Sequence, residues 1–136
     1  MASVLYVANT TPQAVLANGT IDLGTVIRRT ANSQANLSGD SIVLTGTGYF
    51  SVTVSATFNA ATTGSVIISL YKDGVPVQGA LATETIGTAD TEIRSISFTA
   101  VVRNACCCDA VSNLTLVNTG IAANITNIAV KVKRDA

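Results

Sequence analysis

Residues 48 to 59 alternate strictly between two kinds of side chain, and no other feature constrains the fold as much. The stretch reads Gly-Tyr-Phe-Ser-Val-Thr-Val-Ser-Ala-Thr-Phe-Asn. Side chains on a strand point to opposite faces in turn, so a period of two predicts a β-strand rather than a helix. The face expected to enter a hydrophobic core carries Phe50, Val52, Val54, Ala56 and Phe58. The opposite face is small and hydroxylated, and carries Tyr49, Ser51, Thr53, Ser55 and Thr57.

A second stretch, from Glu92 to Val102, repeats this division between an apolar and a mostly hydroxylated face. Its core-facing set is Arg94, Ile96, Phe98, Ala100 and Val102, and its other face carries Ile93, Ser95, Ser97, Thr99 and Val101. We therefore predict that the 48–58 and 92–102 strands lie in one sheet with their apolar faces turned inward.

The remainder of the chain favours further strands. Val, Ile and Thr supply 46 of the 136 residues, and these β-branched residues suit strands better than helices. Asp73-Gly74 predicts a tight hairpin, after which Pro76 places the returning segment at a sheet edge. The other predicted strands are 3–8, 20–27 (with Ile21, Leu23 and Ile27 inward), 42–44, 66–72, 75–86, 111–118 and 125–133, whereas 28–41 is predicted as a polar surface loop. No segment predicts a helix of real length, so the pattern indicates a sandwich or barrel.

Charge and composition exclude several classes of function. Lys plus Arg equals Asp plus Glu at eight each, which argues against a nucleic-acid-binding protein. Charged residues make up 12% of the chain and hydrophobic ones 48%, so we expect part of the surface to be hidden in an oligomer. The chain contains no run of 18 or more apolar residues, so no segment is predicted to span a membrane. The first residues lack the features of a secretory signal, so we expect synthesis in the cytoplasm.

The sequence predicts no catalytic, cofactor-binding or metal site. The chain has no histidine, which removes the commonest general base and the commonest metal ligand together. Asp90 and Glu92 leave a loop calcium site as an alternative, although calcium requires six or more oxygen ligands. We predict that the protein is not an enzyme and carries no cofactor.

Two stretches of the chain are similar to known globular heads. Residues 68–79, a strand followed by an Asp-Gly turn and a hydrophobic-Pro edge, resemble the C-terminal heads of collagen-like exosporium glycoproteins. Residues 48–56 are similar to the central Gly-Tyr strand of complement-type and TNF-type heads. Residues 114–120 and the last strand, which ends at Arg134, fit the same pattern. The resemblance covers residues 44 to 134.

The resemblance implies an all-β, TNF-like jelly-roll sandwich of about ten strands that forms a tight homotrimer. A length of 136 residues predicts one domain, so we expect residues 1–136 to form a single domain of this kind. Such heads cap fibres on spores, and related jelly rolls tip or decorate phage virions. The implied function is a non-enzymatic structural or adhesive head on a spore or virion surface. A collagen-like Gly-X-Y stretch is absent, so the resemblance does not identify the element that anchors the head.

The alternative function is a receptor- or glycan-binding head of a phage fibre or decoration protein. Glycan sites commonly use aromatic platforms, and this chain has six Tyr and Phe residues and no Trp. Most of the six fall on predicted strands, which weighs against this alternative.

The three consecutive cysteines, Cys106, Cys107 and Cys108, leave three interpretations open. They are small hydrophobic residues in a tight loop, or they gather at a trimer axis as interchain disulfides or an adventitious metal site. A catalytic thiolate is disfavoured because no histidine lowers a thiol pKa. The cysteine spacing does not indicate whether the protein resides in an oxidising or a reducing compartment.

The hydroxylated strand faces predict the trimer interface. A water-exposed sheet face usually carries long charged side chains, and neither of the two faces described above has one. The predicted interface comprises Tyr49, Ser51, Thr53, Ser55, Thr57, Ile93, Ser95, Ser97, Thr99 and Val101. The alternative is that loops or the N-terminal strands cover this surface.

Overall fold

Twelve strands form two antiparallel sheets in the computed structural model, which describes residues 3–31, 33–104 and 111–135. In chain order the strands are β1 (Val4–Asn9), β2 (Gln13–Val15), β3 (Gly19–Thr20), β4 (Thr25–Arg29), β5 (Ala35–Ser38), β6 (Ser41–Leu44), β7 (Gly48–Asn59), β8 (Gly64–Lys72), β9 (Val75–Ile86), β10 (Arg94–Asn104), β11 (Ser112–Asn118) and β12 (Ala123–Arg134). The first sheet has the order β10-β7-β12-β1-β4, with β2 paired to β12. The second has the order β5-β6-β11-β8-β9, with β3 paired to β11. The predicted all-β sandwich is confirmed.

Strand β7 lies inside the first sheet, between β10 and β12. Its five predicted core residues are at most 2% exposed, and Phe50 and Phe58 are among the largest fully buried side chains. It pairs with β10 along the whole strand, from Phe58 opposite Arg94 to Gly48 opposite Asn104. The alternation of the sequence therefore correctly predicted both the strand and its partner.

The hairpin between β8 and β9 is also confirmed. Asp73 and Gly74 both adopt positive φ, at 52° and 81°, as a two-residue turn of this kind requires. Strand β9 is the last strand of the second sheet, and Pro76 lies in it opposite Tyr71. An edge strand tolerates the missing N–H of proline because one side of it has no ladder to complete.

The prediction of one strand over 20–27 is wrong. The chain crosses there from the second sheet, where β3 ends at Thr20, to the first, where β4 begins at Thr25. Ile21 and Leu23 are buried as predicted, but Ile27 is 43% exposed on the outermost strand of its sheet. Gly24 turns the chain with φ of 80°, a backbone conformation that breaks a continuous strand.

The prediction of a surface loop over 28–41 is also wrong. It overlaps the end of β4 and contains β5, which pairs with β6. In β5, Ala35 is buried and Leu37 packs against the core, while Asn36 and Ser38, which alternate with them, are polar. Because the neighbouring residues are Asn and Ser, the sequence of this segment resembles a polar loop more than an alternating strand. The structure has more strands than the ten expected, because β2 and β3, of three and two residues, are too short to show a sequence pattern.

The two sheets enclose one apolar cluster to which both contribute. Ile128, Val130 and Val132 of β12 enter it as predicted, whereas Lys131 and Lys133 point away from it and are exposed. Among the described residues, no helix has the length and apolar character needed to cross a membrane.

Candidate functional site

The outer face of the first sheet brings nine of the ten predicted interface residues together. On β10 and β7 they lie opposite each other in pairs: Ser95 with Thr57, Ser97 with Ser55, Thr99 with Thr53, and Val101 with Ser51, while Tyr49 lies opposite Arg103. Cross-strand partners share one face of a sheet, so these side chains form a continuous surface. The tenth residue, Ile93, was wrongly assigned to the strand, because β10 begins one residue later; Ile93 lies in the preceding turn and is 69% exposed.

Most hydroxyl groups on this surface have no side-chain hydrogen bond to another described residue. Thr53, Ser55, Ser97 and Thr99 are exposed and belong to this group. The hydroxyls of Thr57 and Ser95 lie 3.1 Å apart, and the Ser51 hydroxyl donates to the Asp135 carboxylate. The charges on this half lie at its margins: the Asp135 carboxylate accepts from Ser51, and the Arg103 guanidinium lies 5.9 Å from the centre of the Tyr49 ring.

Strand β12 changes the character of the same face. It places Lys131 opposite Thr53 and Lys133 opposite Ser51. Beyond it, β1 places Tyr6 opposite Lys131, and β4 places Arg28 opposite Tyr6. The outer face thus has an uncharged half, made by β10 and β7, and a cationic half, made by β12, β1 and β4.

Sequence reasoning missed the cationic half. The alternation of the last strand correctly predicted that Lys131 and Lys133 face outward. It did not predict that β12 pairs with both β7 and β1, because the three strands are far apart in the chain. A strand's own pattern tells which residues share a face, but not which strand lies beside it.

No carboxylate of a described residue forms an ion pair with this cationic half, although that of Asp135 accepts from Ser51, which lies opposite Lys133. Among residues 3–31, 33–104 and 111–135, ion pairs within 4.0 Å join only Arg94 to Glu92, at 3.2 Å, and Arg94 to Glu84, at 4.0 Å. Both pairs lie at the start of β10, away from Lys131, Lys133 and Arg28. The three cations of the cationic half are therefore available to a charged partner.

Asp90 and Glu92, the alternative calcium ligands, have other roles in the turn between β9 and β10. Glu92 accepts a hydrogen bond from the backbone N–H of Gly87 at 2.7 Å and pairs with Arg94. The Gly87 hydrogen bond first, and the Arg94 side chain second, lower the pKa of Glu92 from its ordinary value. Asp90 donates its backbone N–H to Ala60 O and accepts at its own carbonyl from Asn59. The described residues contain no group of three or more potential metal-ligating acidic or thiol side chains.

An open apolar pocket of about 170 Å³ lies where β2 pairs with the start of β12. The side chain of buried Asn118 holds the backbone next to the pocket: its Nδ2 donates to Ile121 O at 2.7 Å and to Val15 O at 3.4 Å. The lining is mostly alanine and aliphatic, with Asn124 as its polar member, and one lining residue, Leu16, is 74% exposed. The pocket offers no charged group to orient a polar ligand.

The predicted thiol cluster, Cys106, Cys107 and Cys108, lies outside the described residues. The residues on either side of residues 105–110 are well held: the Ser112 hydroxyl donates to Asn104 Oδ1 at 2.7 Å, and Asn104 Nδ2 donates to Gly46 O at 2.7 Å. The interpretations of the thiols stay predictions.

Solved structures with the same architecture are known. Murine APRIL superimposes with a TM-score of 0.70 at 12% identity, covering 99% of this chain and 100% of that one. The globular domain of zebrafish complement 1qA gives 0.64 at 10% identity, covering 98% and 99%. The fold is TNF/C1q-like. PRD1 vertex protein P5 shares it with a TM-score of 0.58 at 16% identity, covering 98% of this chain and 97% of that one.

These likenesses establish the fold, which agrees with the resemblance noted in the sequence. No family model matches the chain, and no curated protein matches it in sequence. At 10–16% identity the shared property is the path of the backbone, so function has to be argued from this chain's own surface.

Proposed function

We propose that the protein is a non-enzymatic structural or adhesive head that acts as a homotrimer on a spore or phage virion surface. The observation that carries the proposal is the uncharged half of the first sheet, where β7 and β10 present small hydroxylated side chains to solvent. Natural sheets usually carry long charged side chains on such a face, which prevent it from associating, whereas here Arg103 and Asp135 stand only at the margins. The absence of that protection is typical of a surface that another subunit covers.

The chemistry of this half suits close contact between subunits. Serine and threonine side chains are short, so they let a neighbouring backbone approach, and their free hydroxyl groups can form hydrogen bonds across the contact. Val101 and Tyr49, 60% and 49% exposed, supply apolar area for the same contact. A stable contact of this kind buries on the order of 1,000 Å² or more.

The cationic half sets a boundary to the proposed interface. Burying Lys131 and Lys133 without a counter-charge would cost several kcal/mol per ion. We therefore place the subunit contact over β10 and β7 and leave β12, β1 and β4 at its border.

The location on a particle is supported by the sequence resemblance to spore-surface heads and by the fold shared with a protein named as a vertex protein. Mass spectrometry tests this location, on spores and on virions purified from the organism that makes the protein. Peptides of this chain enriched in one of the two preparations support the proposal, whereas their recovery only from the soluble cell fraction contradicts it.

Light scattering tests the trimer. The wild-type protein is expected at about three times 13.9 kDa at micromolar concentration. Thr53→Lys combined with Ser97→Lys puts like charges on the interface of every subunit, so this variant is expected to run as a monomer with an unchanged circular dichroism spectrum.

A matched control is Thr83→Lys combined with Asn113→Lys. Both residues are exposed on the second sheet, and the change adds the same charge. This control is expected to stay trimeric. A monomeric wild-type protein would contradict the trimer, as would a Thr53/Ser97 variant that stays trimeric.

A further inference from the structure

We infer that the cationic half of the first sheet binds an acidic polysaccharide, one that carries sulfate or carboxylate groups. This inference deepens the glycan-binding alternative and does not rest on the trimer. Its basis is the surface formed by Lys131, Lys133, Tyr6 and Arg28, which is called the strip below.

The geometry fits an extended chain with repeated negative charges. Lys131, Tyr6 and Arg28 lie side by side on three adjacent strands, and paired residues are about 5 Å apart, so together they span about 10 Å. Lys133 lies two residues along β12, about 7 Å from Lys131 on the same face. The two ammonium groups and the guanidinium are therefore spread over a flat strip rather than gathered round one small ion.

The side chains of this strip all offer hydrogen-bond donors. Lysine ammonium groups and the arginine guanidinium carry positive charge and no acceptor, while the tyrosine hydroxyl can donate or accept. Arg28 uses Nη1 to donate to Ile27 O at 2.9 Å and keeps its other N–H groups. Sulfate and carboxylate groups would meet the cations, and sugar hydroxyls would meet Tyr6.

Charge complementarity favours an acidic ligand over a neutral one. The chain as a whole has no net charge, yet the strip carries three cations, and no carboxylate of a described residue lies within 4.0 Å of any of them. Cations without an ion-pair partner attract a polyanion locally, although the Asp135 carboxylate on Ser51, opposite Lys133, offsets part of this charge. A nucleic acid is disfavoured because three cations supply few of the phosphate contacts on which such binding depends.

Binding to immobilised dextran sulfate tests the inference, with neutral dextran of the same chain length as the matched probe. Wild-type protein is expected to bind dextran sulfate at about 50 mM NaCl, to bind it more weakly at about 200 mM, and not to bind neutral dextran. Lys131→Gln combined with Lys133→Gln is expected to weaken binding roughly tenfold, and Arg28→Gln roughly threefold.

Lys72→Gln is the control, because it removes one cation from the end of β8 in the second sheet. It is expected to bind like wild type. Unchanged melting temperatures would show that all the variants are folded. Polygalacturonate in place of dextran sulfate distinguishes carboxylate from sulfate recognition.

Several results would overturn the inference. These are no binding by the wild-type protein to either acidic polysaccharide, equal binding to neutral dextran, or an equal loss in Lys72→Gln. Preferential binding to a DNA duplex would replace the polysaccharide with a nucleic acid. Light scattering on the same samples keeps the two proposals apart: a monomer that binds contradicts only the trimer, and a trimer that does not bind contradicts only this inference.

Discussion

At the scale of single residues, two glycines with the same backbone conformation have different surroundings. Gly24 and Gly74 have φ of 80° and 81°. A Cβ added to Gly74 would meet no atom within 4 Å, whereas one added to Gly24 would lie 2.6 Å from the Cβ of Asn9 and closer still to the carbonyl oxygen of Ala8. The pair separates the cost of a left-handed backbone from the cost of a steric clash.

We predict that Gly74→Ala lowers the free energy of unfolding by about 1–2 kcal/mol, the ordinary cost of a left-handed backbone in a residue with a Cβ. Gly24→Ala is expected to cost at least about 3 kcal/mol, because the chain must also move away from β1. Urea unfolding of the two variants measures the difference. Equal losses would show that the crossing from β3 to β4 can shift freely.

The same crossing shows how polar side chains hold a segment that belongs to no strand. Ile21 still donates its N–H to Leu116 O of β11 at 2.9 Å. Beyond it, Gln13 Nε2 donates to Asp22 O at 2.8 Å, and Gln13 Oε1 accepts from the backbone N–H of Asp22 at 2.9 Å. The Asp22 carboxylate accepts from the N–H of Gly24 at 2.9 Å. These side-chain bonds hold residues 22–24 in place of a ladder, and Ile21 and Leu23 remain in the core.

At the scale of elements, one carboxylate ties together the turn between β9 and β10. Glu92 bonds to the Gly87 N–H and to Arg94, and the pKa of Glu92 is lowered mainly by the first contact. A lowered folded-state pKa means that the charged form stabilises the fold. This contribution is present above the ordinary value of 4.5 and is lost as the pH falls through the folded-state pKa.

We predict that Glu92→Gln lowers the melting temperature at pH 7, and that the gap to wild type closes as the pH falls below about 4.5. Thermal unfolding followed by circular dichroism between pH 7 and pH 3 measures it. Glu84→Gln serves as the control, since Glu84 makes only the 4.0 Å contact to Arg94. A gap of constant size at every pH would mean that Glu92 acts through packing rather than through its charge.

At the scale of the whole molecule, the apolar cluster between the sheets is the main source of stability among the described residues. It includes fully buried side chains from both sheets, such as Leu5, Phe58, Ile68 and Leu116. A core of this kind does not need a disulfide or a metal to hold it.

We therefore predict that replacing Cys106, Cys107 and Cys108 together with serine changes the melting temperature by only a few degrees. Differential scanning calorimetry of the variant and of the reduced wild-type protein measures this. Unfolding on reduction, or on addition of a chelator, would show that the thiols hold the structure.

The sequence alone determined the central strand, its buried face, its pairing with β10 and the β8–β9 hairpin. Each of these depends on local alternation or on turn chemistry, which a contiguous stretch carries by itself. Tertiary structure decided the crossing at residues 21–24, the existence of β5, and the placing of Lys131 beside Thr53 and Tyr6. These depend on which strands become neighbours: Lys131 meets Tyr6 of β1 across 125 residues of chain and Thr53 of β7 across 78. The uncharged half of the outer face was therefore predictable, and the cationic half was not.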